Sequence, residues 1–294
     1  MCPTPGDVIC LGVATVRQHI RQASSDLSEA QKVAANYLLE NMTKVAFCST
    51  EEFASKAGVS TATIVRLAQA LGYEGFQALK KSLQDEIQLL VSPTDKVQKT
   101  LVNMGDDTDT FAAVVEMEIS YLEQALSTIS REQVDAAAKA MANASKVGVL
   151  GLVVSESLVD LLTFRLRRFK VDVIPMVRGG RDLYEDLHWI SHGDALLTFA
   201  FLQPWPEGLV SLRYAREVGA TSIVITDLES SPALDLADIA LVAQRGPVGA
   251  FHSLVVPNAV VNALILSYAK HTQEQSLVNL KHFQDVRVMM QSKT

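Results

Sequence analysis

The sequence contains little cysteine, no long apolar run and no excess of basic residues. Its three cysteines, Cys2, Cys10 and Cys48, are too few and too unpatterned to predict a disulfide framework or a zinc site, so we expect inert thiols and no metal or cofactor. No run of about 18 apolar residues occurs, and the N-terminus lacks the basic start and long apolar core of a secretory signal. These absences predict a soluble cytoplasmic protein that does not bind a membrane.

The net charge of -7 argues against avid nonspecific binding to nucleic acid, because phosphate contacts need Lys and Arg. An acidic ligand-binding domain can dominate this sum, however, while a small surface contacts DNA selectively. The 294 residues exceed the length of one average domain, and 48% of them are hydrophobic, which is enough for packed cores. We therefore expect two folded domains.

Residues 50–71, TEEFASKAGVSTATIVRLAQAL, have the spacing of a helix-turn-helix motif. Ala54 provides a small contact where two helices cross, and Gly58 permits a left-handed turn. Ile64 and Leu67 then lie one turn apart on the buried side of the second helix. Two amphipathic helices in any helical domain can share this pattern, so the interpretation depends also on the neighbouring segments.

Amphipathic helices are predicted on both sides of this motif. In an upstream helix over 27–42, four apolar residues recur at helical spacing: Val33, Ala34, Tyr37 and Leu38. Downstream, the chain breaks at 72–76 before another amphipathic helix over 77–90. These segments together predict an all-α domain over 15–91.

The second helix of the motif is predicted to meet DNA with its first turn. Ser60 accepts a hydrogen bond from the backbone at the start of that helix, which leaves Thr61, Thr63 and Arg66 on the outer side. Hydroxyls suit phosphates or base edges, and an arginine can bond a guanine edge in bidentate fashion. The predicted DNA-binding residues are therefore Ser60, Thr61, Thr63 and Arg66, with Arg66 the expected source of sequence choice.

After residue 146, short apolar runs alternate with helical patterns, which predicts an α/β fold with a five-stranded, doubly wound parallel sheet. Strands are expected at 147–153, 171–176, 195–201, 222–226 and 239–243. Helices are expected at 111–129, 131–144, 158–169, 181–190, 207–218 and 255–268. A polar linker over 92–110, with a short helix at 96–104, precedes this second domain at 111–294, whose core spans 134–270.

Phe164 to Lys170 form a basic run that can be mistaken for a second nucleic-acid patch. Its phenylalanines and leucines lie at helical spacing. We interpret it as the end of a sheet-covering helix with a solvated basic side, and not as a DNA contact.

Several segments make the sequence similar to the RpiR-type transcriptional regulators, which join an N-terminal helix-turn-helix domain to a C-terminal sugar isomerase (SIS) domain. In the N-terminal half they are 58–66, GVSTATIVR, and 71–76, LGYEGF. In the C-terminal half they are 151–155, GLVVS, 219–227, GATSIVITD, 231–234, SPAL, and 253–257, SLVVP. The resemblance implies a transcription regulator whose second domain binds a phosphosugar.

Ligands of such sheets bind at the carboxyl ends of the strands, where helix N-termini present free N–H groups. The predicted ligand-binding residues there are hydroxyl and amide side chains: Ser155, Ser157, Gln203, Thr226 and Ser231. Trp205 offers a stacking face, and Arg178 and Arg181 can approach an acid group. Capping of helices is the alternative role for any one of these hydroxyls.

The loops that hold phosphate in the SIS family differ in this sequence. Val153 stands where a second glycine is expected, and Glu156 follows Ser155, so bulk and negative charge oppose a phosphate there. Residues 200–206, AFLQPWP, replace a Ser-x-Ser-Gly-x-Thr pattern and so remove hydroxyls and backbone donors. We therefore expect a small polar effector, a carbohydrate derivative with or without phosphate.

An enzyme and a scaffold are the alternatives. Sugar isomerisation needs a general base, and Glu156, Glu185 and His252 are the candidates by position, but no spacing ties them together. A scaffold with a decayed pocket also fits the altered loops. We predict a regulator that is not an enzyme and that binds a pseudo-palindromic double-stranded DNA operator as a homodimer or homotetramer, with a carbohydrate-derived effector.

Overall fold

The computed structural model describes residues 16–24, 26–90, 93–104, 109–202, 205–229, 231–246 and 251–291. These residues form two compact units that divide between Asn103 and Met104, within the range expected to be a linker. The first unit is helical, and the second combines helices with a sheet. Each unit has its own buried core.

The first unit consists of α-helices joined mostly by short turns. They are α1 (Val16–Ala23), α2 (Glu29–Glu40), α3 (Met42–Val45), α4 (Thr50–Ala57), α5 (Thr61–Ala70), α6 (Phe76–Leu90) and α7 (Pro93–Met104), which reaches the division. Ser28 and Ser49 begin α2 and α4 with capping boxes, in which each serine hydroxyl accepts the N–H of the residue three positions on. Because these caps involve residues close in sequence, they define the helix starts locally.

The core of the first unit is built from aromatic and branched apolar side chains. Phe53 of α4 is fully buried, and its ring centre lies 5.5 Å from that of Phe76 at the start of α6. Ile64 and Leu67 of α5 are also fully buried, which confirms the predicted inner side of this helix. Burial of each such side chain contributes about 1.5–3 kcal/mol to stability.

The predicted apolar repeat in α2 is wrong at Val33. The side chain of Val33 is 51% exposed, whereas Ala34 and Leu38 are fully buried. Ala35 completes the buried face in its place, because residues 34, 35 and 38 lie together on one side of a helix.

Cys48 is a free and buried thiol. Its Sγ donates a hydrogen bond to the carbonyl of Val45 at 3.4 Å. Burial raises the pKa of this thiol above its ordinary value of 9.0, which disfavours the reactive thiolate. Cys2 and Cys10 lie outside the described residues.

The second unit opens with two helices and then alternates strands with helices. The opening helices are α8 (Thr110–Thr128) and α9 (Arg131–Asn143). The alternating elements are β1 (Val147–Leu150), α10 (Glu156–Arg168), β2 (Val173–Met176), α11 (Arg181–Leu187), β3 (Ala195–Phe199), α12 (Pro206–Val218), β4 (Thr221–Thr226) and β5 (Ile239–Val242). Two further helices follow, α13 (Val255–His271) and α14 (Gln273–Gln291), of which α14 was not predicted.

The five strands form one parallel sheet in the order β2-β1-β3-β4-β5. Successive residues of β1 face opposite sides of it. Val147 and Val149 pack into the cluster that includes residues of α9, α10 and α13, whereas Leu150 packs with Leu183 and Leu187 of α11. Helices therefore cover both faces of the sheet, which confirms the predicted doubly wound fold.

Several element ends differ from the prediction, among them the following three. β1 ends at Leu150, three residues early, because Val153 adopts a left-handed φ of 57° and turns the chain. β2 begins at Val173, because Lys170, with a φ of 59°, ends the preceding helix in another left-handed turn. The helix expected at 181–190 ends at Leu187, since residues 188 and 189 form a turn. Continuous apolar character does not reveal such turns.

Candidate nucleic-acid interface and ligand crevice

α4 and α5 pack together as a helix-turn-helix. Gly58 ends α4 in the left-handed conformation, with φ 69° and ψ 31°, which a residue with a Cβ adopts only under strain. Ala54 is buried, and its carbonyl accepts the N–H of Val59 at 3.0 Å. The motif therefore has the geometry that its residue spacing indicates.

The first turn of α5 carries hydroxyl groups and no acidic side chain. Ser60 caps the helix, since its Oγ accepts the N–H of Thr63 at 3.2 Å and lies 2.9 Å from Thr63 Oγ1. Thr61 and Arg66 are exposed, and Thr63 is half-buried. The backbone N–H groups of a helix start and the positive end of the helix dipole suit an anion at this tip, such as a DNA phosphate.

In the second unit, the direction of the chain across the sheet reverses between β1 and β3. From β1 the chain passes to β2 at one edge, while from β3 it runs to β4 and β5 at the other. Sheets of this kind bind ligands at this point, beyond the carboxyl ends of the strands. We call the surface formed there by residues 151–155, 177–180 and 205–207 the switch-point crevice.

Glu207 also lies in this crevice, although its sequence context does not predict a site role. A side-chain carbon placed on Gly179 would stand 3.3 Å from Glu207 Oε1 and 3.9 Å from Leu152 Cδ1. The loops after β1 and β2 therefore meet the first turn of α12. Glu156, the first residue of α10, places a second carboxylate at a helix N-terminus beside the loop after β1.

The predicted ligand residues near β1 and β3 differ in exposure. Ser155 is buried in a short 3-10 turn, whereas Ser157 is exposed and donates from Oγ to the Val154 carbonyl at 3.1 Å. Trp205 is 56% exposed and precedes α12 directly. Gln203 lies outside the described residues.

Thr226 and Ser231, the other two predicted ligand residues, follow β4. Both are buried, and their hydroxyls accept the backbone N–H groups of Leu228 and Ala233, each at 3.4 Å. They therefore support the turn after β4, which is the capping role considered above. Because β3 lies between β1 and β4, the turn that contains Thr226 and Ser231 lies about 10 Å to the side of the loop after β1.

Arg178 and Arg181 form exposed ion pairs with residues one turn further along the chain. Arg178 Nε lies 3.1 Å from Asp182 Oδ2, and Arg181 Nε lies 3.9 Å from Glu185 Oε1. Exposed pairs of this kind contribute only about 0–1 kcal/mol, so an incoming anion competes with them at little cost.

A buried ion pair anchors the loop after β3. Arg245 Nε donates to Asp227 Oδ2 at 2.8 Å, and the Leu202 N–H donates to Asp227 Oδ1 at 2.5 Å. The guanidinium also lies 4.4 Å from the centre of the Phe201 ring. Leu202 has a left-handed φ of 54°, so this pair holds a strained backbone in place.

The family described as "Helix-turn-helix domain, rpiR family" matches residues 14–89. Residues 14–89 are an RpiR-family helix-turn-helix domain. A curated relative from Caldanaerobacter subterraneus subsp. tengcongensis, described as an uncharacterized HTH-type transcriptional regulator, is 25% identical over 285 residues, which are 92% of this chain and 96% of the relative. Another with that description, from Haemophilus influenzae, is 23% identical and covers 74% of this chain and 75% of its own length.

Solved structures extend the likeness to the second unit. The sugar isomerase domain of the RpiR transcription factor from Sphaerobacter thermophilus is 26% identical, with a TM-score of 0.57 over 60% of this chain and 99% of its own. The Vibrio vulnificus NanR protein complexed with ManNAc-6P shares the fold, with a TM-score of 0.57 and 21% identity over 94% of this chain and 99% of its own. The chain is a transcriptional regulator that joins an RpiR-family HTH domain to a SIS-like domain.

As an HTH regulator, the protein binds DNA, and the relatives reported above are named as regulators. Among the residues with described coordinates, no group of three or more His, Cys, Asp or Glu side chains is arranged to hold a metal ion. None of the helices described here is long and apolar enough to span a membrane.

Proposed function

We propose that the regulator reads a pseudo-palindromic operator as a homodimer or homotetramer, with the tip of α5 in the major groove. The observation that carries this proposal is the construction of that tip, where Ser60 caps the helix, Thr61 and Arg66 are exposed and no acid occupies the first turn. In this arrangement Thr61 and the Ser60–Thr63 pair contact phosphate, and Arg66 reads a base edge. The HTH domains of two subunits then contact half-sites about 34 Å apart.

We further propose that the SIS-like domain senses a small carbohydrate derivative and does not catalyse its conversion. The NanR protein that shares this fold is complexed with ManNAc-6P, which supports a sugar-type ligand. In this chain, Glu207 and Glu156 favour a ligand that donates hydrogen bonds, such as the hydroxyls of a sugar, over contact with a phosphate. The proposed ligand-binding side chains are Ser155, Ser157 and Gln203, whereas the hydroxyls of Thr226 and Ser231 support the turn after β4.

In this proposal, effector binding and operator binding are coupled. A ligand that prefers one relative placement of the two HTH domains of the oligomer shifts the population toward that placement. By linkage, DNA binding changes effector affinity by the same factor as the effector changes DNA affinity. The protein then acts in the cytoplasm, where it meets both the chromosome and the metabolite.

Selection from a random duplex DNA library tests the first proposal. The full chain is expected to enrich two inverted half-sites whose centres lie about 10 base pairs, or a multiple of that, apart. Enrichment of a single half-site, or of no sequence, would contradict the proposal that two HTH domains bind the operator together.

A thermal-shift screen with sugars, sugar acids and sugar phosphates tests the second proposal. A ligand at 100 times its dissociation constant stabilises the folded state by about 2.7 kcal/mol, so its effect on the melting temperature is large. The same ligand is expected to change operator affinity. A panel in which no carbohydrate derivative shifts the melting temperature would favour a scaffold.

A further inference from the structure

A cavity lies on the flank of the SIS-like domain, apart from the switch-point crevice. Its volume is about 490 Å³, within the roughly 300–1,000 Å³ of small-molecule sites. Its walls are the second half of α10, Pro175 of the edge strand β2 and Phe283 of α14. Thr163 of this cavity lies about 10 Å further along α10 than Glu156, so the two sites are separate.

Arg168 in this cavity is held between two aromatic rings. Its guanidinium carbon lies 4.3 Å from the centre of the Phe164 ring and 5.2 Å from that of Phe283. Asn279 holds α14 against the end of α10, since its Nδ2 donates to the Phe169 carbonyl at 2.6 Å. Phe283 follows Asn279 by one helical turn, so a backbone contact as well as stacking positions its ring.

Two polar atoms of the cavity lack a hydrogen-bond partner within the described part of the chain. They are Nε of Arg168 and Oγ1 of Thr163, both of which are buried. The whole Thr163 side chain is only 6% exposed. A buried donor or hydroxyl left unpaired destabilises a protein, so its presence indicates that a partner is missing.

The charge of the cavity wall indicates the partner. Arg167 adds a second guanidinium beside Arg168, and Asp160 is the carboxylate among the lining residues. The lining therefore carries a net positive charge and two aromatic faces. These groups match an oxyanion attached to an apolar body.

We propose that this cavity binds a small organic anion, a carboxylate or a phosphate on an apolar body. The oxyanion pairs with the guanidinium groups of Arg167 and Arg168, in the bidentate geometry that guanidinium offers. Thr163 donates a further hydrogen bond after rotation of its hydroxyl, and the rings of Phe164 and Phe283 contact the apolar body. The basic run interpreted above as a solvated helix side thereby has a binding role.

Titration calorimetry on the full chain, with phenyl phosphate, benzoate and inorganic phosphate as probes, tests this proposal. We expect phenyl phosphate or benzoate to bind. The one that binds more tightly shows whether the site prefers a phosphate or a carboxylate. Inorganic phosphate should bind at least about tenfold more weakly, because it lacks the apolar body. Arg168→Gln should lower the affinity for the organic anion at least about tenfold. Arg165→Gln removes an exposed arginine of the same helix that lies outside the cavity, and it should leave this affinity unchanged.

Thr163→Val keeps the proposal testable where Arg168→Gln fails to fold. Valine replaces the unpaired hydroxyl with a methyl group of similar size. It should therefore raise the melting temperature of the free protein and lower its affinity for the organic anion. The proposal is overturned if wild type binds neither organic anion, if inorganic phosphate binds equally well, or if Thr163→Val leaves binding unchanged.

Discussion

The helix start proposed to contact DNA differs from the two helix starts that border the switch-point crevice. α5 begins with the hydroxyls of Ser60 and Thr61 and has no acid in its first turn. α10 and α12 have no side-chain cap, and they carry Glu156 and Glu207 in their first turns. Since helix N-termini attract anions, an acidic side chain there takes the place of a phosphate. The tip of α5 is therefore suited to phosphate, whereas the switch-point crevice is suited to a ligand that donates hydrogen bonds.

The largest effect is expected from Thr61→Glu, which gives α5 the acidic first turn of α10 and α12. Glutamate at this position stabilises the helix by about 0.3–1 kcal/mol, so the domain stays folded. Repulsion of DNA phosphates should lower operator affinity more than about tenfold, measured by fluorescence anisotropy with a labelled duplex. Thr110→Glu, at the exposed first residue of α8, is the matched control. An equal loss of operator affinity in that variant would show that the effect does not depend on the tip of α5.

A smaller effect in the opposite direction is expected from Glu207→Gln in the SIS-like domain. Removal of this carboxylate should strengthen binding of a sugar phosphate chosen from the thermal-shift screen about three- to tenfold relative to the same sugar without phosphate, because repulsion of the phosphate is lost. Calorimetry measures both affinities. Glu217→Gln, near the other end of α12, removes the same charge away from the crevice and should change neither. An unchanged ratio in Glu207→Gln would mean that this carboxylate does not face the ligand.

The cap of α5 gives the smallest effect of the series. Ser60→Ala removes the hydroxyl that accepts the Thr63 N–H, and should lower the stability of the HTH domain by about 1 kcal/mol. Thermal unfolding followed by circular dichroism detects this as a fall of a few °C, roughly as expected for a small domain. Ser60→Asn should restore the cap. Ser60→Ala should also weaken DNA binding, because Ser60 belongs to the tip proposed to contact phosphate. Ser130→Ala, which uncaps α9, should destabilise the other domain without weakening DNA binding, and an equal loss of DNA affinity in both variants would contradict a special role for Ser60.

The HTH domain was predictable because its signals are local. Gly58 and Ser60 lie within three residues of each other and specify the turn between α4 and α5 without any distant contact. Ile64 and Leu67 then define the inner side of α5 through helical spacing alone. Val33 was misplaced because α2 has apolar residues on more than one side, and only packing against the other helices selects the buried face.

The switch-point crevice was predictable only in its position. The strand order that places Glu207 beside Gly179 depends on which strands pair, and no local pattern encodes that contact. The Asp227–Arg245 pair likewise joins residues far apart in sequence, and it forms because β4 and β5 are neighbours. α14 was missed because many of its apolar side chains are exposed and define no buried stripe.

The role of Arg66 in sequence choice is tested by comparing wild type with Arg66→Ala on the selected operator and on a random duplex of equal length. We expect Arg66→Ala to lose about 1–3 kcal/mol of binding free energy on the operator and to relax base preference, with a much smaller loss on the random duplex. Arg213→Ala, an exposed arginine on α12, should bind both duplexes as wild type does. Unchanged operator affinity in Arg66→Ala, or an equal loss on both duplexes, would contradict the claim that α5 chooses the sequence.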